Sequence, residues 1–431
     1  MTLETHSTEL RSSYDVIVVG GGPAGAASAT LLAQKGHQVL MLERDRFPRF
    51  KIGESLIPAT VGVLERMGMI EKLRRSPFPE KHSVQFFSGS GNASKPFYFH
   101  ETEEPEQSQT WQVLRSELDE MMFDNACEQG VHGVQEASVK EVLFDAADRA
   151  TGVRVRIDGE THEIGSKVVV DATGQRAMLS RQLGLRTTDP NLRQASIFTH
   201  YQGAHRDEGI DEGATLILQT SDRKGWFWFI PLPHNCASVG VVGKIDDLIK
   251  GRQGTPQEIF DEELSRCPGL LPRLEGARQL MPPKVLNEFS YMTRQGAGDG
   301  WVMAGDAFGF LDPMYSTGVL LALRSGEMVA DTVHDALDAG DVSAARLNGF
   351  TPRLMAGMSA FRKLVYAFYH PDFSFGKFLG AFPEHRLAVV KILVGDVFDR
   401  DFTQFYIDLD SMVDLPSEGM QAGPVGSAAG G

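Results

Sequence analysis

Cysteine is scarce in this chain of 431 residues, which contains only three cysteines, at positions 127, 236 and 267. They are far apart, odd in number and outside any CxxC pair, which excludes a disulfide scaffold and a cysteine-based zinc cluster. His200 and His205 do not have the spacing of a metal site on their own, so we expect no metal. A reducing compartment suits this cysteine usage, and we expect a cytoplasmic protein.

Positive charge is also in deficit, because 42 lysines and arginines face 57 acidic residues and leave a net charge of −15. A surface of this sign repels phosphate backbones and anionic lipid, so nucleic-acid and membrane-surface binding are excluded. One uncharged run of membrane-spanning length exists, at 16–33, but its cluster of glycines and a proline argues against a spanning helix. Small-molecule chemistry is the class that remains.

The two ends of the chain lack the patterns of folded segments. Residues 1–13 are polar and carry both signs of charge, so we predict a disordered lead and no signal peptide. Residues 416–431 are rich in Gly, Ala, Ser and Pro and cannot bury a core, so we predict a disordered tail. No internal repeat is found.

The first 45 residues predict a βαβ unit and hence an α/β fold with a doubly wound, Rossmann-like sheet. A buried strand at 14–20 is followed by a glycine turn, a helix at 23–35 and a second strand at 38–43. The turn has the GxGxxG pattern, in which glycines let backbone amides approach a pyrophosphate at a helix N-terminus. Glu43 ends the second strand, where it can accept hydrogen bonds from an adenosine ribose. The residues of the turn predicted to bind a dinucleotide, FAD or NAD, are Gly20, Gly22, Pro23, Ala24 and Gly25.

Beyond this unit, the pattern predicts three further parts of the chain. We expect the dinucleotide domain to span 14–194 and to return at 291–337, with an antiparallel substrate sheet between them at 195–290 and a helical region at 338–415. Helices are predicted at 56–75, 116–128, 255–265, 316–337 and, with interruptions, 346–397. Strands are predicted at 137–144, 153–157, 168–170, 196–201, 215–219, 226–231, 237–242 and 301–304.

Two strand ends favour flavin over nicotinamide. A DATG segment at 171–174 and a GDA segment at 305–307 place a carboxylate and small residues at the carboxyl edge of the sheet, where ligands bind. Together with the glycine turn, these segments resemble the FAD-dependent monooxygenases and halogenases over residues 14–335. The resemblance implies that Asp306 holds the flavin ribitol and that Arg115 lies on the FAD phosphates.

The segment from Gly225 to Pro231 resembles the WxWxIP signature of flavin-dependent halogenases, with Trp226, Trp228, Ile230 and Pro231 as its members. Tryptophans two positions apart on a strand lie on the same side of the sheet, so we expect two indoles on one surface. An aromatic strand face inside a core is the alternative interpretation. In the family, these residues keep the organic substrate away from the flavin.

Phe78, Pro79 and Lys81 resemble the FPxK stretch of the pyrrole- and phenol-type halogenases, in which the lysine is catalytic. A lysine ammonium can hydrogen-bond hypohalous acid, and a buried neutral amine can carry the halogen. A solvated surface lysine is the alternative. The preceding segment, 53–58, resembles the family's strap between flavin and lysine and implies that Ser55 and Ile57 lie near the isoalloxazine.

The segment 312–319 opens a helix at Ser316 and resembles the halide loop of the family. Helix-terminal amides form an anion site, and the resemblance implies that Thr317 and Gly318 hold the halide while Val319 touches the flavin. An ordinary helix cap is the alternative. Tryptophan halogenases carry a glutamate where this chain has Tyr315, which favours phenol or pyrrole over tryptophan as substrate.

The resemblance implies a halogenase that makes hypohalous acid from reduced FAD, oxygen and chloride or bromide and delivers it to an aromatic ring at Lys81. The ring is a phenol or a pyrrole, free or tethered to a carrier protein. The alternatives are an FAD-dependent aromatic hydroxylase or related flavin oxidoreductase of the same fold, and a non-catalytic flavoprotein. Only one GxGxxG opens a βαβ unit, so we expect a separate reductase to supply reduced FAD. The sequence leaves a homodimer open.

Overall fold

A computed structural model of the chain describes residues 10–102, 104, 108–287 and 290–416. The predicted disordered ends lie outside the described residues except for 10–13 and Pro416, and Ser13 already belongs to the first strand. The strands, in chain order, are β1 (Ser13–Val19), β2 (Val39–Leu42), β3 (Glu80–Lys81), β4 (Ser83–Phe87), β5 (Phe97–Tyr98), β6 (Thr110–Trp111), β7 (His132–Val134), β8 (Ser138–Phe144), β9 (Ala150–Ile157), β10 (Glu160–Asp171), β11 (Arg186–Thr188), β12 (Gln194–Gln202), β13 (Thr215–Gln219), β14 (Gly225–Leu232), β15 (Cys236–Lys244), β16 (Arg278–Gln279), β17 (Lys284–Asn287), β18 (Tyr291–Thr293), β19 (Ala297–Gly298), β20 (Trp301–Met303) and β21 (Gly309–Phe310).

The helices lie mainly at the start of the chain and in its last third. In chain order they are α1 (Pro23–Gln34), α2 (Thr60–Arg66), α3 (Ile70–Arg74), α4 (Arg115–Glu128), α5 (Met178–Gln182), α6 (Ile245–Leu248), α7 (Pro256–Ser265), α8 (Leu271–Leu274), α9 (Thr317–Asp338), α10 (Ala344–Leu347), α11 (Thr351–Tyr369), α12 (Phe375–Ala381), α13 (Arg386–Val394) and α14 (Thr403–Met412). Among the described residues, none of these helices has the length and apolar character needed to cross a bilayer.

The first sheet confirms the predicted α/β fold. Its main path runs β19-β20-β10-β1-β2-β7, and β1 pairs in parallel with both β2 and β10. The middle of β1 is apolar and buried, as a strand covered on both faces requires. Helix α1 follows β1 and packs against α9, where a Cβ added to Gly326 would lie 2.5 Å from the backbone oxygen of Ala24. The two helices therefore meet at backbone distance.

The second sheet has the order β16-β12-β15-β14-β13-β4-β5. Its centre is antiparallel as predicted, but β13 pairs in parallel with β4, so residues 83–98 join this sheet from the other side of the boundary expected at 194/195. In β14 the side chains alternate between two apolar clusters. Trp226, Trp228 and Ile230 belong to the cluster that also contains the buried residues of the first sheet. Phe227 and Phe229 belong to a separate cluster on the opposite face of the second sheet.

The helix predicted at 56–75 is wrong as a single element. The chain forms α2 and α3 instead, and Gly68 between them has a φ of +76°, a left-handed conformation that interrupts a right-handed helix. The helix predicted at 255–265 is confirmed as α7, with a capping box between Thr255 and Glu258.

Candidate active site

One cavity of about 510 Å³ lies between the carboxyl edge of the first sheet and the inner face of the second. Most of the predicted site residues line this cavity, although they come from segments far apart in the sequence. Those on its wall are Gly20, Gly22, Pro23, Ala24, Glu43, Ser55, Arg115, Trp226, Trp228, Ile230, Asp306, Gly318 and Val319. The predicted residues that the structure places off the wall are Gly25, Ile57, Lys81, Pro231 and Thr317.

The glycine turn shapes the end of the cavity between β1 and α1. A Cβ on Gly25 would lie 1.8 Å from the backbone oxygen of Gly20, so this glycine is required for the turn to close. At Gly22 the nearest atom to an added Cβ is an Arg49 nitrogen at 3.7 Å, so the described protein atoms leave the space above this glycine open. Gly22 is the N-cap of α1 and contributes no side-chain cap, which leaves the first-turn amides for an anion. The site thus fits a pyrophosphate.

Glu43 stands at the end of β2, buried, with one carboxylate oxygen 2.9 Å from the backbone nitrogen of Gly21. Arg49 lies 3.4 Å from the same oxygen and 2.6 Å from the buried carboxylate of Asp119. Arg49 also lines the cavity, and no motif had indicated it. The pair Glu43 and Arg49 offers both an acceptor and a cation to a nucleotide at this end.

Arg115 and Asp306 form the middle of the wall. Arg115 donates to both carboxylate oxygens of Asp119 at 2.7 and 3.0 Å and to the backbone oxygen of Ile52 at 2.7 Å, which holds its guanidinium at the cavity. Desolvation raises the pKa of the Asp306 carboxyl to about 7, and the positive charge of Arg115 opposes this rise. No described residue donates a hydrogen bond to that carboxyl, so it is open to a ligand hydroxyl.

The signature tryptophans form the opposite wall. Their rings lie 6.3 Å apart on the same face of β14, which confirms the placement predicted from their spacing. The Trp228 indole donates to the Ser238 hydroxyl at 3.1 Å, and a Cβ on Gly240 would lie 2.2 Å from its ring. Gly240 therefore makes room for this indole.

Lys81 lies just behind the wall, with 2% of its surface exposed, and is not a solvated lysine. Its Nζ donates to the Ser55 hydroxyl and to the Leu56 backbone oxygen, both at 2.9 Å, and lies 5.4 Å from the centre of the Phe99 ring. Burial lowers the pKa of the Lys81 ammonium to about 7. This amine can hold or release a proton near neutral pH.

A chain of polar groups joins Lys81 to residues that sequence reasoning missed. The Ser55 and Thr215 hydroxyl oxygens are 2.8 Å apart, and Gln112 donates to the Thr215 hydroxyl at 2.8 Å. Ser55 and Thr215 line the cavity. Ser55 and Thr215 are 160 positions apart, and no local pattern could have paired them.

The loop before α9 reaches the cavity through Pro313 and Ser316, and the first turn of α9 reaches it through Gly318 and Val319. Ser316 is the N-cap in a left-handed conformation, with a φ of 55°, and its side chain makes no capping hydrogen bond. The first-turn amides of α9 are therefore left without the cap that the alternative interpretation would supply. Tyr315 is buried with its hydroxyl 3.3 Å from the Leu364 backbone oxygen, so it presents no acid to a substrate.

The comparisons with known proteins agree with this geometry. A sequence profile of the FAD binding domain family matches residues 13–327. A brominase of 1H-pyrrole-2-carbonyl peptidyl-carrier protein from Pseudoalteromonas luteoviolacea is 33% identical over 90% of this chain and 93% of its own length. The corresponding chlorinase from Pseudomonas fluorescens is 28% identical over 89% of this chain and 90% of its own length. The solved structure of the flavin-dependent brominase Bmp2 superposes with a TM-score of 0.81 at 31% identity, covering 90% of this chain and 94% of that one.

The chain belongs to the FAD-binding family defined by that profile and, within it, to the flavin-dependent halogenases. It is an enzyme whose cofactor is FAD and whose reaction halogenates an aromatic ring with halide.

Proposed function

We propose that this halogenase acts on a pyrrole ring tethered to a peptidyl carrier protein, with Lys81 as its catalytic residue. The observation that carries the proposal is the burial of the Lys81 amine 2.9 Å from a hydroxyl on the wall of the cavity. The brominase and the chlorinase described above act on that substrate and align with nine-tenths of this chain. The buried, hydrogen-bonded Tyr315 supports a substrate that needs no second acid.

The residues on the wall of the cavity opposite the two tryptophans hold the cofactor. We assign the FAD pyrophosphate to the backbone N–H groups of Gly22 and of the first turn of α1, which Pro23 opens without an N–H of its own. Arg115 is the cation on the phosphates, and Glu43 accepts from the adenosine ribose. Gly25 lets the turn close, and Gly20 and Ala24 line the cavity beside it. Ile57 is buried in the segment 53–58, the strap of the resemblance. The open carboxyl of Asp306 accepts from the ribityl hydroxyls. Bound reduced FAD supplies the reduction of oxygen that converts halide to hypohalous acid.

The halide sits at the start of α9. Thr317 is the first residue of this helix, and Gly318 lines the cavity. A Cβ added to Gly318 would lie 3.1 Å from the Phe310 ring. Amides at this end of a helix carry partial positive charge, which attracts chloride or bromide despite the net charge of −15. Val319, one residue further on, packs against the flavin.

Lys81 acts on the halogenating agent from behind the wall. Its ammonium donates to the Ser55 hydroxyl that lines the cavity, and its pKa of about 7 lets it give a proton toward hypohalous acid and take one back as the ring loses one. Trp226, Trp228 and Ile230 fill the opposite wall of the cavity, with Pro231 next to them in β14, and their bulk keeps the ring from the flavin.

A separate flavin reductase supplies the reduced cofactor, because the sequence has one GxGxxG turn that opens a βαβ unit, and FAD takes it. The three cysteines are free thiols, which suits a cytoplasmic site of action.

Mass spectrometry tests the proposal. The chain, FAD, a flavin reductase, NADH and bromide are incubated in parallel with pyrrole-2-carbonyl carrier protein, free pyrrole-2-carboxylate and a phenol. Brominated pyrrole on the carrier is expected, and Lys81→Met is expected to bind FAD and oxidise reduced flavin without product. Oxygen insertion in place of bromine would show a hydroxylase, bromination of the phenol alone would overturn the substrate, and a normal yield from Lys81→Met would overturn the lysine.

A further inference from the structure

Two hydroxyl groups separate Lys81 from the cavity. Lys81 does not reach the cavity wall, whereas Ser55 and Thr215 do. The distances from the Lys81 Nζ to the Ser55 Oγ and from there to the Thr215 Oγ1 are 2.9 and 2.8 Å, both within hydrogen-bond range. These two oxygens therefore form a continuous polar path from the buried amine to the cavity.

The amide of Gln112 holds Thr215 in this path. It donates one proton to the Gly213 backbone oxygen and the other to the Thr215 oxygen, both at 2.8 Å. Lys81 donates to the Ser55 oxygen in the same way. Each hydroxyl has one proton of its own, and one of the two lies between the oxygens. The other has no acceptor among the described residues, and because both groups line the cavity, it is available there.

The backbone holds these groups in place. Ser55 and Gln112 form an antiparallel bridge, and Lys81 pairs with Thr110. Thr215 pairs with Val84, which is three positions after Lys81. A Cβ on Gly213 would lie 1.9 Å from the Glu80 backbone oxygen, so only glycine lets the start of β13 approach the lysine strand this closely. The path is part of the fold and does not depend on one mobile side chain.

We propose that Ser55 and Thr215 form a proton relay between Lys81 and the cavity, with Gln112 as the positioning residue that holds the Thr215 hydroxyl in place. This inference rests on the proposed role of Lys81. When hypohalous acid gives its halogen to the ring carbon, the carbon–halogen bond forms and hydroxide is left. Hydroxide takes the Thr215 proton, Thr215 takes that of Ser55, and Ser55 takes one from the Lys81 ammonium.

The relay balances the reaction. Hydroxide becomes water, the lysine becomes a neutral amine, and both hydroxyls are restored with their protons shifted by one place. The proton that the halogenated ring carbon loses then returns through Thr215 and Ser55 in the opposite direction, and the amine becomes ammonium again. No carboxylate among the described residues pairs with Lys81, whose other polar contact is the Leu56 carbonyl, an acceptor that cannot pass a proton on.

Hydrogen exchange at the Lys81 ammonium tests the relay without any substrate. The full chain is labelled with ¹⁵N at the lysine Nζ, with and without FAD, and the Lys81 signal is identified by its loss in Lys81→Met. Thr215→Val is expected to slow exchange at least about tenfold, the equivalent of one lost hydrogen bond. Thr215→Ser is expected to restore the wild-type rate, and Ser55→Ala to slow exchange as Thr215→Val does.

Thr110→Val is the matched control, because Thr110 is fully buried beside Lys81 and its hydroxyl has no partner among the described residues. It is expected to exchange at the wild-type rate. Equal rates in Thr215→Val and wild type, or equal slowing in Thr110→Val, overturn the relay. Bromination of pyrrole-2-carbonyl carrier protein is measured on the same samples. A wild-type chain that makes no product but shows the expected exchange pattern refutes the proposed substrate and leaves the relay standing.

Discussion

The indole N–H of Trp226 donates a hydrogen bond to the hydroxyl of Tyr369, 3.2 Å away, and that hydroxyl donates to the carboxylate of Asp312 at 3.1 Å. Trp226 lies in β14 of the second sheet, Tyr369 ends α11, and Asp312 lies in the loop before α9. One phenol hydroxyl therefore joins three parts of the chain. Burial raises the pKa of the Asp312 carboxyl to about 7, and the Tyr369 donor opposes that rise.

Tyr369→Phe removes the centre of this link. Because it leaves a buried indole N–H and a buried carboxyl short of a partner, we expect the free energy of unfolding to fall by about 1–3 kcal/mol. We expect FAD affinity to be unchanged and the yield of halogenated product per flavin oxidised to fall. Tyr406→Phe is the control, since the Tyr406 hydroxyl donates to the Ala360 backbone oxygen at 2.7 Å. Equal losses of product in both variants would contradict the link.

The burial of the Lys81 amine is expected to make the free energy of unfolding depend on pH. Its pKa in the fold is about 7, below the ordinary 10.5, so between these values the unfolded chain binds a proton that the folded chain does not. The contribution of Lys81 to stability therefore rises with pH over this window by about 1.4 kcal/mol per pH unit and is least favourable below pH 7. Denaturant unfolding at pH 7, 8 and 9 measures it.

Lys81→Met lacks this slope, and we expect it to be more stable than wild type at pH 7 by a margin that shrinks as the pH rises. Lys72→Met is the control, because Lys72 is partly exposed beside Glu128 and should leave the wild-type slope intact. Parallel stability profiles for wild type and Lys81→Met would show that the amine is not desolvated.

Two glycines of the same turn have opposite expected effects. Gly22→Ala meets no atom nearer than 3.7 Å, and its φ of −79° suits any residue, so we expect stability to change by less than about 0.5 kcal/mol while FAD affinity falls sharply. Gly25→Ala meets a backbone oxygen at 1.8 Å and should destabilise the fold by about 1–3 kcal/mol or more. Thermal unfolding and flavin-fluorescence titration separate the two. Full FAD affinity in Gly22→Ala would place the pyrophosphate elsewhere.

Asp306→Asn tests the open carboxyl. Its pKa of about 7 lies above the ordinary 3.8, so the folded chain without FAD holds an extra proton between these values and loses relative stability as the pH rises through them. The variant without FAD is therefore expected to be more stable than wild type at pH 8 and nearly equal near pH 4. FAD affinity is expected to fall by about tenfold, the cost of one charge-assisted hydrogen bond. Unchanged affinity would remove Asp306 from the ribityl contact.

Local sequence patterns predict the structural features whose physical cause lies in residues that are neighbours in the sequence. The glycine turn, the buried strand β1 and the paired tryptophans follow from the required backbone conformation, double-sided burial and the two-residue repeat of a strand. The lysine was predicted only through a resemblance, since nothing near it in the sequence shows that it is buried.

The features that escaped prediction depend on contacts between distant residues. Gln112 and Thr215 meet because β4 pairs in parallel with β13, and a two-residue repeat carries no information about which strands become neighbours. The same pairing draws 83–98 into the second sheet, across the predicted boundary. Tyr369 reaches Trp226 across 143 positions, through the packing of α11 on β14.

The contact between α1 and α9 has a consequence for synthesis. The glycine turn emerges from the ribosome early, but Asp306 and the helix that covers α1 follow about 280 residues later, or about 15–60 s at ordinary rates of translation. During that interval, the apolar face of α1 at Ala24 and Ala27 has no covering helix. The N-terminal βαβ unit is therefore expected to need protection by chaperones until the chain returns, and flavin can load only onto a nearly finished polypeptide.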